Sequence, residues 1–389
     1  MKVALINLWR VNNARGGTEK VFFDLANALV SRGHSVKAIT HDVKSGTPLF
    51  YMDPLVGYCN CGQSFSERVL HNSAVFKLCT TYISSKKDRK IARAKLAMRG
   101  KSASISKEIE VFKPDVIVSF QQETTYMLLD VIGVSVPVVT MLHGDPEGYF
   151  TSAEFDLYKS SLEKSVIQVL MPEYVQQVFA RLSPMDVVCI PNVVPQYSYN
   201  APLDRPLIIN VGRLDRVQKR QHLLIEAFNQ LKNLFPEWKL EIWGETHFDS
   251  TYTREIEDLI EKNHLHSRVV LCQTTNNIAK ELKRASIFGF PSSTEGFSLA
   301  LGEAMSMGLP VVGCKSCPSV NTLIQDHVNG FLCQDTPDDI ANKLAELMKD
   351  EDLRKQMGMN ATKSMKGYTA DVVWEKWERL LRRLCVDSN

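Results

Sequence analysis

Ser292-Ser293-Thr294-Glu295-Gly296-Phe297-Ser298-Leu299-Ala300-Leu301-Gly302-Glu303-Ala304-Met305 is the stretch on which the reading of the fold turns. The apolar run Ser286-Ile287-Phe288-Gly289-Phe290-Pro291 before it has the make-up of a buried strand. Gly308 and Pro310 close the helix that the stretch begins, and Pro310-Val311-Val312-Gly313 starts another strand. A strand, a tight polar loop and a helix start form an anion site, because unpaired backbone N–H groups and the positive end of the helix dipole face the loop. A phosphorylated substrate fits there. Glu295 falls in the loop, and Glu303 lies about five residues into the helix, on the order of 7 Å further along at 1.5 Å per residue.

Working outward, strands alternate with helices along the whole chain, which predicts an α/β protein with parallel sheets covered by helices. Residues 2–8 read as a strand, then Gly16-Gly17 and a helix from Thr18 to Ser31, then a strand at 35–40. Further strands are expected at 115–120 and 136–141. The polar stretch from Pro191 to Asp204 reads as a linker, after which strands and helices restart from Pro206. The expected division is 1–198, 199–368 and a terminal amphipathic segment, 369–389, carrying Trp374 and Trp377. A length of 389 residues accommodates two such domains. Paired open α/β domains hold ligands at the C-terminal ends of their strands, so a cleft there is the expected site.

Bulk composition excludes more than it selects. A net charge of +2 with 23% charged residues is that of an ordinary soluble protein. No apolar run approaches the roughly 18–20 residues that span a bilayer, and Lys2–Leu8 is too short for a signal peptide. Nine scattered cysteines predict free thiols in a reducing compartment, and the lone Cys314-Lys315-Ser316-Cys317 lacks a second pair for zinc. Neither a dinucleotide-type G-x-G-x-x-G nor a P-loop occurs, which argues against a nicotinamide dehydrogenase or a P-loop NTPase.

Three further constellations carry chemistry. In Val211-Gly212-Arg213-Leu214-Asp215-Arg216-Val217-Gln218-Lys219 a strand ends at Gly212, so Arg213 and Lys219 sit where two cations can grip a diphosphate. Alone they would read as solvated surface cations. Gly16-Gly17 at a strand-to-helix turn allows close approach of a ligand to the backbone, or is a plain turn. His143, in Leu142-His143-Gly144-Asp145, follows an apolar run and is placed at the C-terminal edge of the sheet, although a lone histidine is more often structural.

Glu295 to Glu303 reads E-x7-E with Gly-Phe after the first glutamate, and Gly212-Arg213 with Lys219 reads G-R-x5-K. With the Gly-Gly pair and the histidine in the same order, the chain resembles the retaining group 1 glycosyltransferases of the GT-B fold, of the bacterial surface-polysaccharide type. The likeness covers the second half almost completely and departs from the pattern twice. Arg220 stands where the family usually has glycine after the lysine, and Trp243-Gly244-Glu245-Thr246 replaces a glycine-rich segment of the donor pocket.

The resemblance implies two Rossmann-like domains facing each other across a cleft, with the terminal helix crossing back to the first. It implies that Arg213, Lys219 and the backbone of Gly296, Phe297, Ser298 and Leu299 hold the diphosphate, that Glu295 holds sugar hydroxyls and Glu303 the ribose. Gly16 and Gly17 face donor phosphate and acceptor, and His143 contacts the transferred sugar. The expected reaction moves a hexose or N-acetylhexosamine from a nucleotide-diphosphate sugar, a UDP-sugar in preference to a GDP-sugar, to a glycan. A lipid-linked acceptor in capsule, O-antigen or exopolysaccharide assembly is expected, with no metal and no other cofactor. The alternatives are a GT-B nucleotide-sugar epimerase, a glycan phosphorylase and a non-catalytic binder of sugar nucleotides or glycans.

One segment stands outside these motifs. Lys86, Lys87, Arg89, Lys90, Arg93, Lys95, Arg99 and Lys101 are opposed only by Asp88, and Ile91, Ala94 and Met98 form an apolar stripe at helical spacing. Such a helix can lie on an anionic membrane, each cation contributing about 1 kcal/mol, or it is a solvated helix. No nucleic-acid motif accompanies the charge, so no nucleic-acid partner is expected. The expected location is cytoplasmic, peripheral on the inner face of the plasma membrane if Lys86, Lys87, Lys90 and Arg93 make that contact.

Overall fold

The computed structural model describes residues 1–14, 16–63, 85–246 and 248–386. The chain divides into two compact units, Met1–Pro191 with Val373–Asn389, and Asn192–Val372. The division falls ahead of residue 198 because the start of the polar connection is bonded within the second unit. There Val194 N–H donates to Tyr368 O (2.9 Å), and Gln196 Nε2 donates to Met365 O (3.3 Å).

The first unit contains β1 (Lys2–Asn7), β2 (Ser35–Thr40), β3 (Gly57–Asn60), β4 (Val116–Ser119), β5 (Val138–Met141), β6 (Val166–Val169) and β7 (Asp186–Cys189). They form one parallel sheet in the order β3-β2-β1-β4-β5-β6-β7. β4, β5 and β6 are buried along their whole length, as strands covered on both faces must be. This is why their sequences read as continuous apolar runs rather than alternating ones. The helix Gly17–Ser31 presses Phe22, Phe23, Leu25 and Leu29 into the core, where Phe22 meets Phe120 edge to face (4.9 Å).

The terminal helix Ala370–Val386 buries Val373, Trp377, Leu380, Leu381 and Leu384, one face at helical spacing. Within the first unit its Glu378 lies 3.6 Å from His34, and its Arg383 pairs with Asp186.

The basic segment is helical, and the helix is longer than its charged part, Lys86–Phe112. Its apolar stripe requires a correction. Met98 is buried, together with Ile105 one further double turn along, in the core with Ile117, Met127 and Leu128, and Ala97, Ile109 and Phe112 pack on the same cluster. Ile91 and Ala94 are partly buried. Met98 of the stripe therefore belongs to the first unit's core, whereas Ile91 and Ala94 stay partly exposed. Lys86, Lys87, Lys90 and Arg93 are exposed, with Lys87 paired to Asp156 at 2.7 Å.

The second unit contains β8 (Leu207–Val211), β9 (Lys239–Trp243), β10 (Val269–Cys272), β11 (Ile287–Phe290), β12 (Val311–Cys314) and β13 (Gly330–Cys333). Its parallel order is β10-β9-β8-β11-β12-β13. In both units the chain starts in the middle of the sheet, runs to one edge, then returns and runs to the other. The order reverses between β1 and β4 in the first unit and between β8 and β11 in the second. In open α/β sheets the crevice at such a reversal, beyond the strands' C-terminal ends, is the ligand site.

None of the eight cysteines among the described residues forms a disulfide. Cys314 and Cys317 are buried, with Cys314 beside Cys333 in the strand register. No helix among the described residues is long and apolar enough to cross a membrane.

Candidate active site

Two loops meet at the β8/β11 reversal of the second unit. The first leaves β8 at Gly212 and carries Arg213 to Arg220, and the second leaves β11 at Pro291 and carries Ser292 to Ser298. The Asp215 carboxylate shapes the first by accepting the N–H groups of Val217 (3.0 Å) and Gln218 (2.8 Å). Ser293 N–H donates to Gln218 O (2.8 Å), Ser293 Oγ to Val217 O (2.8 Å) and Gln218 Nε2 to Thr294 O (3.0 Å), which stitches the two loops together. Lys219 then reaches Glu295 at 2.5 Å, with only 13% and 9% of the two side chains exposed. Two residues singled out in the sequence for separate partners thus form one shielded ion pair.

Arg213 is held on three sides. One Nη2 donates to Gln218 Oε1 (2.6 Å) and Asp215 Oδ2 (3.1 Å), and the Phe248 ring lies 4.6 Å from the guanidinium carbon. Its buried Nε has no protein partner. Gly244 brings the loop after β9 close to β8. A side chain at this position, with φ 154°, would overlap the carbonyl oxygen of Gly212. The replacement of the family's glycine-rich segment therefore keeps the glycine that the packing requires. Neither Gln218 nor Phe248 is singled out by the sequence reading. Gln218 lies inside the G-R-x5-K spacing, but Phe248 has no local signal because its contact spans two strand ends.

Arg220 occupies the left-handed region (φ 51°, ψ 41°) at the N-cap of the helix Gln221–Leu231. That backbone explains why a glycine is usual there. Here arginine takes the position and ties it down. Its Nε donates to Pro291 O (2.9 Å), and its Nη1 donates to Asp335 (2.6 Å), which also accepts from Ser316 Oγ (2.5 Å).

The helix expected from Glu303 backwards is Leu299–Ser306, with Ser298 as N-cap, its hydroxyl accepting the Leu301 N–H (3.3 Å). Glu303 is the fifth helical residue, and partial burial, with the charge of Glu303 adding to it, pushes up the pKa of half-buried Tyr197. Phe297 is buried against Tyr368 (5.4 Å between rings), so only its backbone can serve a ligand. Gly296 lies in the loop and Leu299 opens the helix. The first N–H groups of the helix lack intrahelical acceptors and face the loop that holds Glu295.

In the first unit, His143 follows β5 and stacks on Phe120 at the end of β4 (5.2 Å, 27° between planes). Its backbone N–H donates to Tyr149 Oη (3.1 Å), and burial holds that phenol up at about 12. Burial also pushes the imidazole down to about 4, so the ring is neutral at neutral pH. The residue keeps some exposure overall, while its Nε2 is enclosed without a protein partner. Gly16 is the N-cap of the helix Gly17–Ser31. The Glu19 carboxylate, raised in pKa by burial, accepts the N–H groups of Gly16 and of Glu19 itself. This helix start already holds an anion of its own, whereas the one at Leu299 is capped by a neutral hydroxyl.

The loops at the β8/β11 reversal thus bring Arg213, Lys219 and Glu295 to the C-terminal ends of two adjacent strands of the second unit. Residues 197–364 match the family model of the glycosyl transferases group 1, and this unit belongs to that family. An uncharacterized glycosyltransferase of Haemophilus influenzae is 23% identical over 380 residues, 94% of this chain and 96% of that one. The N-acetylgalactosamine-N,N'-diacetylbacillosaminyl-diphospho-undecaprenol 4-alpha-N-acetylgalactosaminyltransferase of Campylobacter jejuni is 32% identical over 149 residues, 38% of this chain and 39% of that one. Among solved structures, Anabaena HepE in complex with UDP-glucose superposes with a TM-score of 0.74 at 17% identity, covering 98% of this chain and 100% of that one. The two Rossmann-like sheets are those of the GT-B fold.

Proposed function

We propose that the protein is a retaining, metal-independent glycosyltransferase. It moves a hexose or N-acetylhexosamine from a UDP-sugar to a glycan, carried on a lipid, in surface-polysaccharide assembly. The observation that carries this reading is the stitched pair of loops at the β8/β11 reversal, which sets Arg213, Lys219, Glu295 and the Leu299 helix start around one crevice. Cleaving a sugar–diphosphate bond leaves charge on the leaving phosphate, and preorganised cations and N–H groups stabilise that charge without a metal. Arg213, Lys219 and the backbone of 296–299 take this role. Glu295 binds sugar hydroxyls, Glu303 the ribose, and the neutral His143 ring offers a hydrogen bond to the transferred sugar. Gly16 and Gly17 take a ligand at the backbone only once the Glu19 carboxylate, which accepts the Gly16 N–H, is displaced. The acceptor oxygen bonds to the anomeric carbon on the face that the diphosphate leaves, and the departing phosphate oxygen takes the acceptor's proton.

UDP as the carrier is supported by the HepE neighbour, whose structure contains UDP-glucose, and a lipid-linked acceptor by the Campylobacter relative, whose name specifies one. The exposed cations of the helix Lys86–Phe112 suit contact with an anionic inner membrane face.

The test is a thermal-shift screen of UDP- and GDP-sugars in EDTA, followed by mass spectrometry of undecaprenyl-diphosphate glycans incubated with the donor that binds. The expected result is a UDP-sugar that stabilises the protein in EDTA and a lengthened glycan with the anomeric configuration of the donor. Donor consumed without an acceptor would instead identify an epimerase, and donor bound without turnover a non-catalytic binder. Activity lost in EDTA and restored by a divalent metal would overturn metal independence.

A further inference from the structure

The crevice at the chain reversal of the first unit also carries a built feature. Trp9 stands just beyond β1 and Glu123 just beyond β4, the two strands between which the order reverses. Trp9 is 40% exposed, yet its indole Nε1 donates to Glu123 Oε1 at 2.7 Å. The support beneath is buried and polar. Gln121 Oε1 accepts the Leu8 N–H (3.0 Å) and the Thr124 hydroxyl (2.9 Å), while Gln121 Nε2 donates to Asn7 Oδ1 (2.6 Å). Asn7 Oδ1 also accepts the Trp9 N–H (3.0 Å). The two strand ends are thus locked together, and the indole plane is fixed from its backbone and from its tip. His143 lies on the same edge, after β5, stacked on Phe120 at the end of β4.

An exposed indole normally costs apolar surface in water, and fixing it adds a loss of rotamer freedom. The combination of a rigid aromatic face and an adjacent carboxylate matches one ligand chemistry closely. A pyranose presents C–H groups on its face, which pack on an aromatic ring, and hydroxyls at its rim, which donate to a carboxylate.

We propose that Trp9 and Glu123 form a subsite for a pyranose ring of the acceptor glycan, with the ring packed on the indole and a rim hydroxyl donating to Glu123. This rests on the glycosyltransferase reading and extends it by naming residues that select the acceptor rather than the donor.

The probes are methyl glycosides of glucose, galactose, N-acetylglucosamine and N-acetylgalactosamine, titrated into the full chain with intrinsic fluorescence as the readout. The wild type is compared with Trp9→Phe, which isolates Trp9 from the other four of the five tryptophans. At least one glycoside is expected to change the wild-type signal saturably and to leave the Trp9→Phe signal unchanged. In turnover with octyl glycosides, Trp9→Ala is expected to raise the acceptor KM about tenfold with donor KM unchanged, and Glu123→Gln severalfold. An equal fluorescence response in Trp9→Phe overturns the proposal. So does an unaltered acceptor KM in both Trp9→Ala and Glu123→Gln, or a panel in which no pyranoside changes the wild-type signal. Calorimetry with UDP reports on the donor reading separately, since the fluorescence titration needs no donor.

Discussion

Arg220 offers a test in which the structure predicts an order that side-chain chemistry alone would not. Its backbone is left-handed at the start of a helix, which costs a non-glycine residue roughly 1 kcal/mol. Against this, its guanidinium donates to Pro291 O, a charge-assisted bond contributing roughly 1.5–3 kcal/mol. The Asp335 pair, with 15% and 31% of the side chains exposed, adds up to about 1 kcal/mol after solvent screening. Arg220→Ala removes both bonds and keeps the strain, so it is expected to destabilise by about 2–4 kcal/mol. Arg220→Gly removes the same bonds but relieves the strain, so it is expected to lose about 1 kcal/mol less. Glycine should therefore be more stable than alanine here, the reverse of their order inside a helix. Urea unfolding with a slope of about 2 kcal/mol/M would separate the midpoints by roughly 0.5 M. Because the lost bonds hold the end of the Arg213–Lys219 loop to Pro291, UDP affinity should fall several-fold in both variants. An alanine variant as stable as the glycine variant would refute the strain argument, and two variants indistinguishable from wild type would refute the tether.

Arg213→Ala and Lys219→Ala should each lower kcat/KM about 10- to 100-fold if they carry the diphosphate, and near-wild-type kinetics in both would place it elsewhere. Lys219→Ala should also lower the unfolding midpoint, because Glu295 then loses its shielded partner. Glu303→Ala should weaken UDP binding by calorimetry, whereas Glu295→Gln should spare it and impair turnover; equal losses would contradict the division of roles. His143 is neutral in the folded protein down to about pH 4, while the unfolded chain takes its proton near 6.5. The unfolded state then binds more protons as pH falls from 6.5 towards 4, so stability drops through that window. His143→Gln should remove about 1–2 kcal/mol of the loss between pH 7 and pH 5, and an unchanged pH dependence of the urea midpoint would contradict it. Replacing Lys86, Lys87, Lys90 and Arg93 by Gln should abolish salt-sensitive binding to phosphatidylserine vesicles, and unchanged binding would return the segment to a solvated helix.

The α/β alternation, the helix start at Leu299 and the placing of Arg213 and Lys219 beyond a strand end were legible in the sequence. Each depends on residues within a few positions of one another: an apolar run, an N-cap serine, a glycine or proline stop. The same locality explains why Met98 reads as part of an outward stripe with Ile91 and Ala94. Their helical spacing shows an apolar face but not its neighbour, and Met98 is claimed by Ile117 and Leu128 from other elements.

What joins the pieces is long-range. Lys219 and Glu295 are 76 positions apart, Trp9 and Glu123 are 114 apart, and Arg220 and Asp335 are 115 apart. No window of sequence contains either pair of strand ends. The parallel order, which sets β1 beside β4 and β8 beside β11, brings them together. A carboxylate and a cation have the same local signature whether solvated or paired, and only the register of the strands beneath them decides which they become.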